Sequence, residues 1–421
     1  MVYLLYNMVM ELVEKLFPVI RILRNQKLRK FVAGQSLLLQ TICDKMAEED
    51  KEIIWIHASS LGEYGVARPI IHQLRSEKRT IVFTFFSPSA YEVLNGRNRE
   101  ETGIDYVFYL PWDTQHNAQQ FLDAVHPAKA IFIISEYWIN YLRELDQRQI
   151  PTYFISSLVH RESYLLKWYG RPIRNAIPKN SCFFALDEDT KRNLNSIGFH
   201  HATVIGDSLF DNAIGISQTP YSNDIIQHFC ATADKGVMIA GSISDRHDMD
   251  IVCSFANTHP GIKCIFVPHE ISEEGLNEIK YHLEGWAELY SDCTAETDFS
   301  RCQVLIIDFM GSLSRLYRYG RWAYVGGGFT PYLHNVIEPI VYGLPAAFGP
   351  RIYRKTTPQQ MISLGVGHIV RSAREFSAWF DRLYANEQEM EKIKTVALSY
   401  VSKNSGATQK VVRIINDHIR L

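Results

Sequence analysis

The sequence predicts an α/β protein of two doubly wound, Rossmann-like domains facing a cleft, preceded by an amphipathic helix. Three observations carry this reading. From residue 53 onward, short apolar runs alternate with longer stretches that have helical spacing, the rhythm of βαβ units and a covered parallel sheet. The rhythm fades over residues 206–235 and restarts at 237. The restart runs strand, then Gly241-Ser242, then an Asp-rich segment, as a second domain of the same kind would open.

The 421 residues allow two full cores without staples. With 46% hydrophobic and 21% charged residues, the composition argues against wholesale disorder and against a polytopic membrane protein. A formal net charge of −2 argues against a nucleic-acid-binding polycation. The seven cysteines are scattered with no CxxC, which fits neither a disulfide framework nor a zinc finger and points to the cytoplasm.

Residues 1–30 form the first element. The segment YLLYNMVMELVEKLFPVIRILR places positions 7, 11, 14/15, 18 and 21 on one polar helical stripe; the rest of the circumference is apolar. Basic residues from Arg21 to Lys30 follow, and residues 1–40 hold Lys15, Arg21, Arg24, Lys27, Arg29 and Lys30 against Glu11 and Glu14. This pattern predicts a helix lying in a membrane interface. Packing on the protein's own body is the competing reading.

Residues 31–215 form the first domain, with strands at 53–57, 80–86, 106–110, 129–135, 152–156, 182–186 and 202–205. Residues 216–421 form the second, with strands at 237–240, 263–267, 304–308, 322–326 and 344–348 and a helical tail whose last helix packs back on the first domain. Ligands are expected at the carboxyl ends of the strands.

Chemistry concentrates at those ends. In HASSLGE, residues 57–63, a tight turn brings Glu63 to a helix start, either as a cap or as a general base. In GGGFTPYLHNVIEP, residues 326–339, glycines including Gly327 permit close backbone approach; His334, Asn335 and Glu338 follow, with an acid able to accept two ribose hydroxyls. The acidic residues of SDRHDMD (244–250) and DED (187–189) read as helix caps in preference to metal ligands. No GxSxG elbow and no dinucleotide fingerprint is present.

Taken together, WIHASSLGE (55–63), FFSPSAYE (85–92), YLPWDT (109–114), SEYW (135–138), GDSLFD (206–211), AGS (240–242), MGSL (310–313) and GGG…HNVIEP…GLPAAFGP (326–350) resemble the bacterial 3-deoxy-D-manno-octulosonic acid (Kdo) transferases. These are membrane-associated glycosyltransferases of the GT-B superfamily. Ser312, Arg351 and Leu209 depart from the family's usual Glu, Asn and Arg. The resemblance implies a CMP-Kdo donor, a lipid A precursor (lipid IVA) as acceptor, inversion, no metal or other cofactor, and work at the cytoplasmic face of the inner membrane. It implies Glu63 as the base and Ser60, Gly62 and Glu136 on the acceptor side. Ser242, His269, Met310, Gly311, Gly327, His334, Asn335 and Glu338 are implied around the nucleotide.

Overall fold

The computed structural model describes residues 2–20, 26–134, 136–352 and 356–417. The chain divides into two compact units, Met1–Asn212 with Ser405–Leu421, and Ala213–Asn404.

The first unit holds seven strands: β1 (Glu52–Ala58), β2 (Arg79–Phe85), β3 (Tyr106–Tyr109), β4 (Lys129–Ile133), β5 (Thr152–Ser157), β6 (Cys182–Ala185) and β7 (Ala202–Val204). They pair in parallel in the order β3-β2-β1-β4-β5-β6-β7. Alternate residues feed opposite faces, as the strand period requires. Ile53, Trp55, Val82, Phe132, Phe154 and Phe183 join one core, together with Phe121 and Leu122 of helix Gln115–Val125. Ile54, Ile56, Ile81, Phe83, Ile131 and Ile155 join the other. Helices Leu61–Leu74 and Ala407–Asp417 close that second face, with Val411 and Ile415 fully buried. The Asp211 carboxylate accepts from the Gly406 and Thr408 amides and so fixes the start of the last helix.

The second unit repeats the plan with β8 (Val237–Ile243), β9 (Lys263–Pro268), β10 (Ala287–Leu289), β11 (Val304–Ile306), β12 (Trp322–Val325), β13 (Ala346–Phe348) and β14 (Gly367–Ile369). All pairs are parallel, in the order β10-β11-β9-β8-β12-β13-β14. The strand order reverses direction at β1/β4 in the first sheet and at β8/β12 in the second. In doubly wound sheets that switch point opens a crevice at the carboxyl ends of the strands. The segments carried there are HASSLGE and Glu136 in one unit, and AGS and GGG in the other.

The first helix, Val2–Ile20, presents a different side to the body than its sequence alone suggests. Its polar groups turn inward: Tyr3 donates to Asn140 Oδ1 at 2.9 Å, Tyr6 to Asp113 at 2.5 Å, and Asn117 to Glu14 at 2.7 Å. Asn7 is buried, whereas Glu11 and Lys15 of the same stripe are exposed. Leu4, Leu5, Met8, Val9, Leu12 and Leu16 face outward, each 48–67% exposed. The helix therefore packs on the body and also shows an unpartnered apolar face. The basic residues Arg21 and Arg24 lie outside the described residues; Arg29 and Lys30 are exposed, and Lys30 pairs with Glu92 at 2.8 Å.

Candidate active site

In the first unit, Ser60 is the N-cap of helix Leu61–Leu74 and its Oγ accepts from the Glu63 amide at 3.4 Å. The Glu63 carboxylate reaches back to accept from the Ser59 amide at 2.5 Å. Glu63 is thus a cap, satisfying one orphan donor of the turn. It is also more than a cap. Burial, then the neighbouring Glu136 carboxylate, push the Glu63 carboxyl up to about 7, against the pull of the Ser59 and Ser60 amides. A carboxylate with that affinity can take a proton near neutral pH. Gly62 is exposed, and a Cβ there would meet only Ser60 Oγ, at an ordinary contact distance of 3.9 Å.

Glu136 follows β4. Burial raises its carboxyl, but the hydrogen bonds and charge around it, from His57 first, outweigh burial and hold it below the ordinary carboxylate range. Trp138 Nε1 donates to Glu136 Oε2 at 3.0 Å. The backbone at this turn is strained. Ile134, a β-branched residue, has φ +62°, and its amide bonds to Ile155 O at 2.7 Å. Such strain at a strand end aims the next side chains and is retained only where the surroundings force it.

In the second unit, two loops are laced together by Asp248, a fully buried carboxylate. It accepts from the amides of Gly327 (2.8 Å) and Ser244 (3.1 Å) and from Tyr324 Oη (2.7 Å). Asp245 is spent as the N-cap of helix Arg246–Thr258, accepting from the His247 and Asp248 amides. The acidic run is therefore architecture. Asp187 likewise caps its helix through the Thr190 amide. Among the described residues no group of three or more His, Cys, Asp or Glu could hold a metal ion.

The approach of the two loops needs glycine. A Cβ on Gly326 would lie 2.1 Å from Ser242 O, and Gly327 has φ +81°. Ser242 itself takes φ +54°, unusual for a serine. His334 Nε2 lies 2.6 Å from Ser244 Oγ, and its ring lies 4.3 Å from that of His269. Asn335 lies two residues before the short helix Ile337–Ile340: its Oδ1 accepts from the Ile337 amide, while its Nδ2 donates to Glu338 Oε1 at 3.3 Å. Burial pushes the Glu338 carboxyl up to about 7, with the Asn335 bond opposing. Tyr317 stands between Glu338 and the end of β8; its hydroxyl occupies the place a Cβ on Gly241 would need. Met310 and Gly311, the latter at φ +89°, are exposed beyond β11. Ser312 is buried with its Oγ unpartnered.

The structure thus brings Ser60, Glu63 and Glu136 together in one unit. In the other it gathers Ser242, His269 and His334 around Ser244, and Asn335 with Glu338. Sequence reasoning passed over His57, Trp138, Asp248 as a loop clamp, and Tyr317. His57 stood in the motif HASSLGE, but nothing in the sequence shows that Thr84 and Trp138 will flank it.

Two doubly wound units, each with a switch point in its parallel sheet, are the architecture of the GT-B fold, and the chain has that fold. A UDP-GlcNAc 2-epimerase from Neisseria meningitidis, solved with UDP-GlcNAc, shares the fold at a TM-score of 0.58, 15% identity, 87% of this chain and 100% of that one. The family model for 3-deoxy-D-manno-octulosonic-acid transferase (kdotransferase) matches residues 35–212. A 3-deoxy-D-manno-octulosonic acid transferase from Aquifex aeolicus is 25% identical over 364 residues, 84% of this chain and 93% of that protein. A bifunctional glycosyltransferase/methyltransferase from Fusobacterium nucleatum is 23% identical over 382 residues, 85% of this chain; the match spans 58% of that longer protein. Over most of its length the chain is similar to proteins named as Kdo transferases.

Proposed function

We propose that the enzyme transfers Kdo from CMP-Kdo to a lipid A precursor, lipid IVA, in lipopolysaccharide synthesis, with inversion and without a metal ion. The observation that carries this reading is Glu63: a carboxylate at a switch point, raised to about 7 by burial and by Glu136. Its chemistry is that of a general base. The acceptor sugar hydroxyl gives its proton to Glu63 as its oxygen attacks the anomeric carbon. The bond from that carbon to the CMP phosphate oxygen breaks, and CMP leaves with the electron pair. Ser60, Gly62 and Glu136 line the acceptor side.

CMP is a good leaving group, and backbone amides at loop and helix starts can hold its phosphate, so the reaction asks for no metal. The glycine loop of residues 326–328 with Ser242, His269, Met310, Gly311 and His334 forms the nucleotide side. Glu338, oriented by Asn335, accepts the ribose hydroxyls. These assignments, and the relatives named as Kdo transferases, support the donor.

The outward face of helix Val2–Ile20 supports attachment to the cytoplasmic surface of the inner membrane, where the acceptor's acyl chains stay in the bilayer. No described helix is long and apolar enough to cross a membrane. The test is incubation with CMP-Kdo, generated in situ, and tetra-acylated lipid IVA, read by mass spectrometry and by the anomeric NMR signals of the product. Addition of one or more Kdo masses with inverted configuration is expected. Absence of any Kdo adduct alongside transfer from a UDP-sugar would overturn the reading.

A further inference from the structure

His57 is the penultimate residue of β1, is fully buried, and sits one bond network behind the acidic pair. Its Nδ1 lies 2.9 Å from Thr84 Oγ1, which also accepts from Trp55 Nε1 at 2.9 Å. On its other side, Nε2 lies 3.0 Å from Trp138 Nε1 and 3.6 Å from Glu136 Oε2. The indole N–H can only donate, and it stands 3.0 Å from both His57 Nε2 and Glu136 Oε2.

Two proton arrangements are open to this network, the second with a small turn of the indole that takes its N–H off Nε2. In the first, Nδ1–H donates to Thr84, and Nε2 accepts from Trp138. In the second, the Thr84 hydroxyl donates to Nδ1, Nε2–H faces Glu136, and the indole N–H is given wholly to Glu136. The imidazole can therefore match its proton to the charge on Glu136. A buried histidine with a partner on each nitrogen and a carboxylate beyond one of them is suited to that task.

We propose that His57 is a positioning residue for the transfer reaction: clamped between Thr84 and the Trp138–Glu136 pair, it keeps Glu136 an anion beside Glu63 and so sets how tightly Glu63 holds the acceptor's proton. The inference rests on the proposed role of Glu63 as base and deepens it. The titratable groups facing Glu136 are His57 from β1, Glu63 from helix Leu61–Leu74, and Tyr164 from the segment after β5. Phe132 and Trp138 rings wall the imidazole at centroid distances of 6.1 and 5.9 Å. Glu136 is the neighbouring charge that opposes ionisation of Glu63, so a neutral Glu136 makes Glu63 a weaker base.

The experiment follows the Glu63 carboxyl by ¹³C NMR titration and the acid limb of the kcat/KM profile in the full-length enzyme. His57→Gln keeps hydrogen-bonding capacity but cannot change tautomer or charge. Its Glu63 titration and its acid limb should both move down by about one pH unit, with a lower plateau rate. Glu136→Gln should give a shift of the same sign and size. Trp138→Phe, at a half-buried position, should give a smaller shift in the same direction and serves if His57→Gln does not fold. A folded His57→Gln or Trp138→Phe enzyme that loses rate while both the titration and the limb stay in place would make His57 a merely structural residue and overturn the proposal. Near-normal turnover in Glu63→Gln would instead remove the base assignment, and the proposal with it.

Discussion

Replacing Leu12 and Leu16 by Glu tests the proposed membrane attachment separately from folding. Six large apolar side chains of helix Val2–Ile20 are 48–67% exposed. Full burial of such a side chain is worth about 1.5–3 kcal/mol, so roughly half of that, about 1 kcal/mol each, remains to be gained on entering lipid. The face as a whole then offers about 6 kcal/mol when fully immersed. Losing Leu12 and Leu16 removes about 2 kcal/mol, a factor of about 30 in partitioning, before the cost of placing two carboxylates at the interface. Co-sedimentation with anionic vesicles should therefore fall by at least about 30-fold, while thermal melting stays near wild type because neither side chain contributes to the core. Deleting the helix is a poorer test. Tyr6 covers the buried Asp113, and Tyr3 and Glu14 satisfy Asn140 and Asn117, so truncation should lower stability as well as binding. Unchanged vesicle binding in the double variant, or a melting temperature that collapses with it, would refute the reasoning.

Glu338→Ala removes the proposed acceptor for the ribose hydroxyls; charge-assisted hydrogen bonds of about 1.5–3 kcal/mol imply a loss of roughly 10- to 100-fold in CMP affinity by calorimetry. Glu338→Gln should stabilise the fold at pH 8 relative to pH 5. A carboxyl raised to about 7 in the folded chain contributes stability that is present below its unfolded value and lost as pH rises through 7. The gain at pH 8 should be on the order of 1–3 kcal/mol, read by denaturant titration. Turnover should likewise fall as pH drops through about 7, where Glu63 takes a proton and ceases to be a base. Gly326→Ala puts a Cβ against Ser242 O and should abolish nucleotide binding or cost about 1–3 kcal/mol of stability; wild-type CMP affinity with unchanged melting would deny the close loop approach.

The sheets were legible because their strands are apolar on both faces. Ile53, Ile54, Trp55 and Ile56 form a continuous run, as a parallel sheet covered by helices demands. β10 and β14 escaped notice because they are three-residue edge strands, and neither forms an apolar run. Glu63 and Glu338 stood out because each lies near a helix start after a strand. The polar stripe of the first helix was visible, but not which way it turned. That depended on Asp113, Asn117 and Asn140, more than 100 residues away, offering partners to Tyr6, Glu14 and Tyr3. Asp248 read as one member of an acidic run, and only the folded chain shows it holding the glycine loop through the Gly327 amide. Contacts at such separations leave no periodic trace in a sequence.

The central claim is that Glu63 is the base of a Kdo transfer. Glu63→Gln preserves shape and removes the proton acceptor. With CMP-Kdo and lipid IVA, its turnover should fall by roughly 10²- to 10⁴-fold, the range for losing general-base help, while calorimetric CMP affinity stays within about twofold of wild type. Turnover near the wild-type rate would contradict the account and leave Glu63 with its capping bond to Ser59 alone.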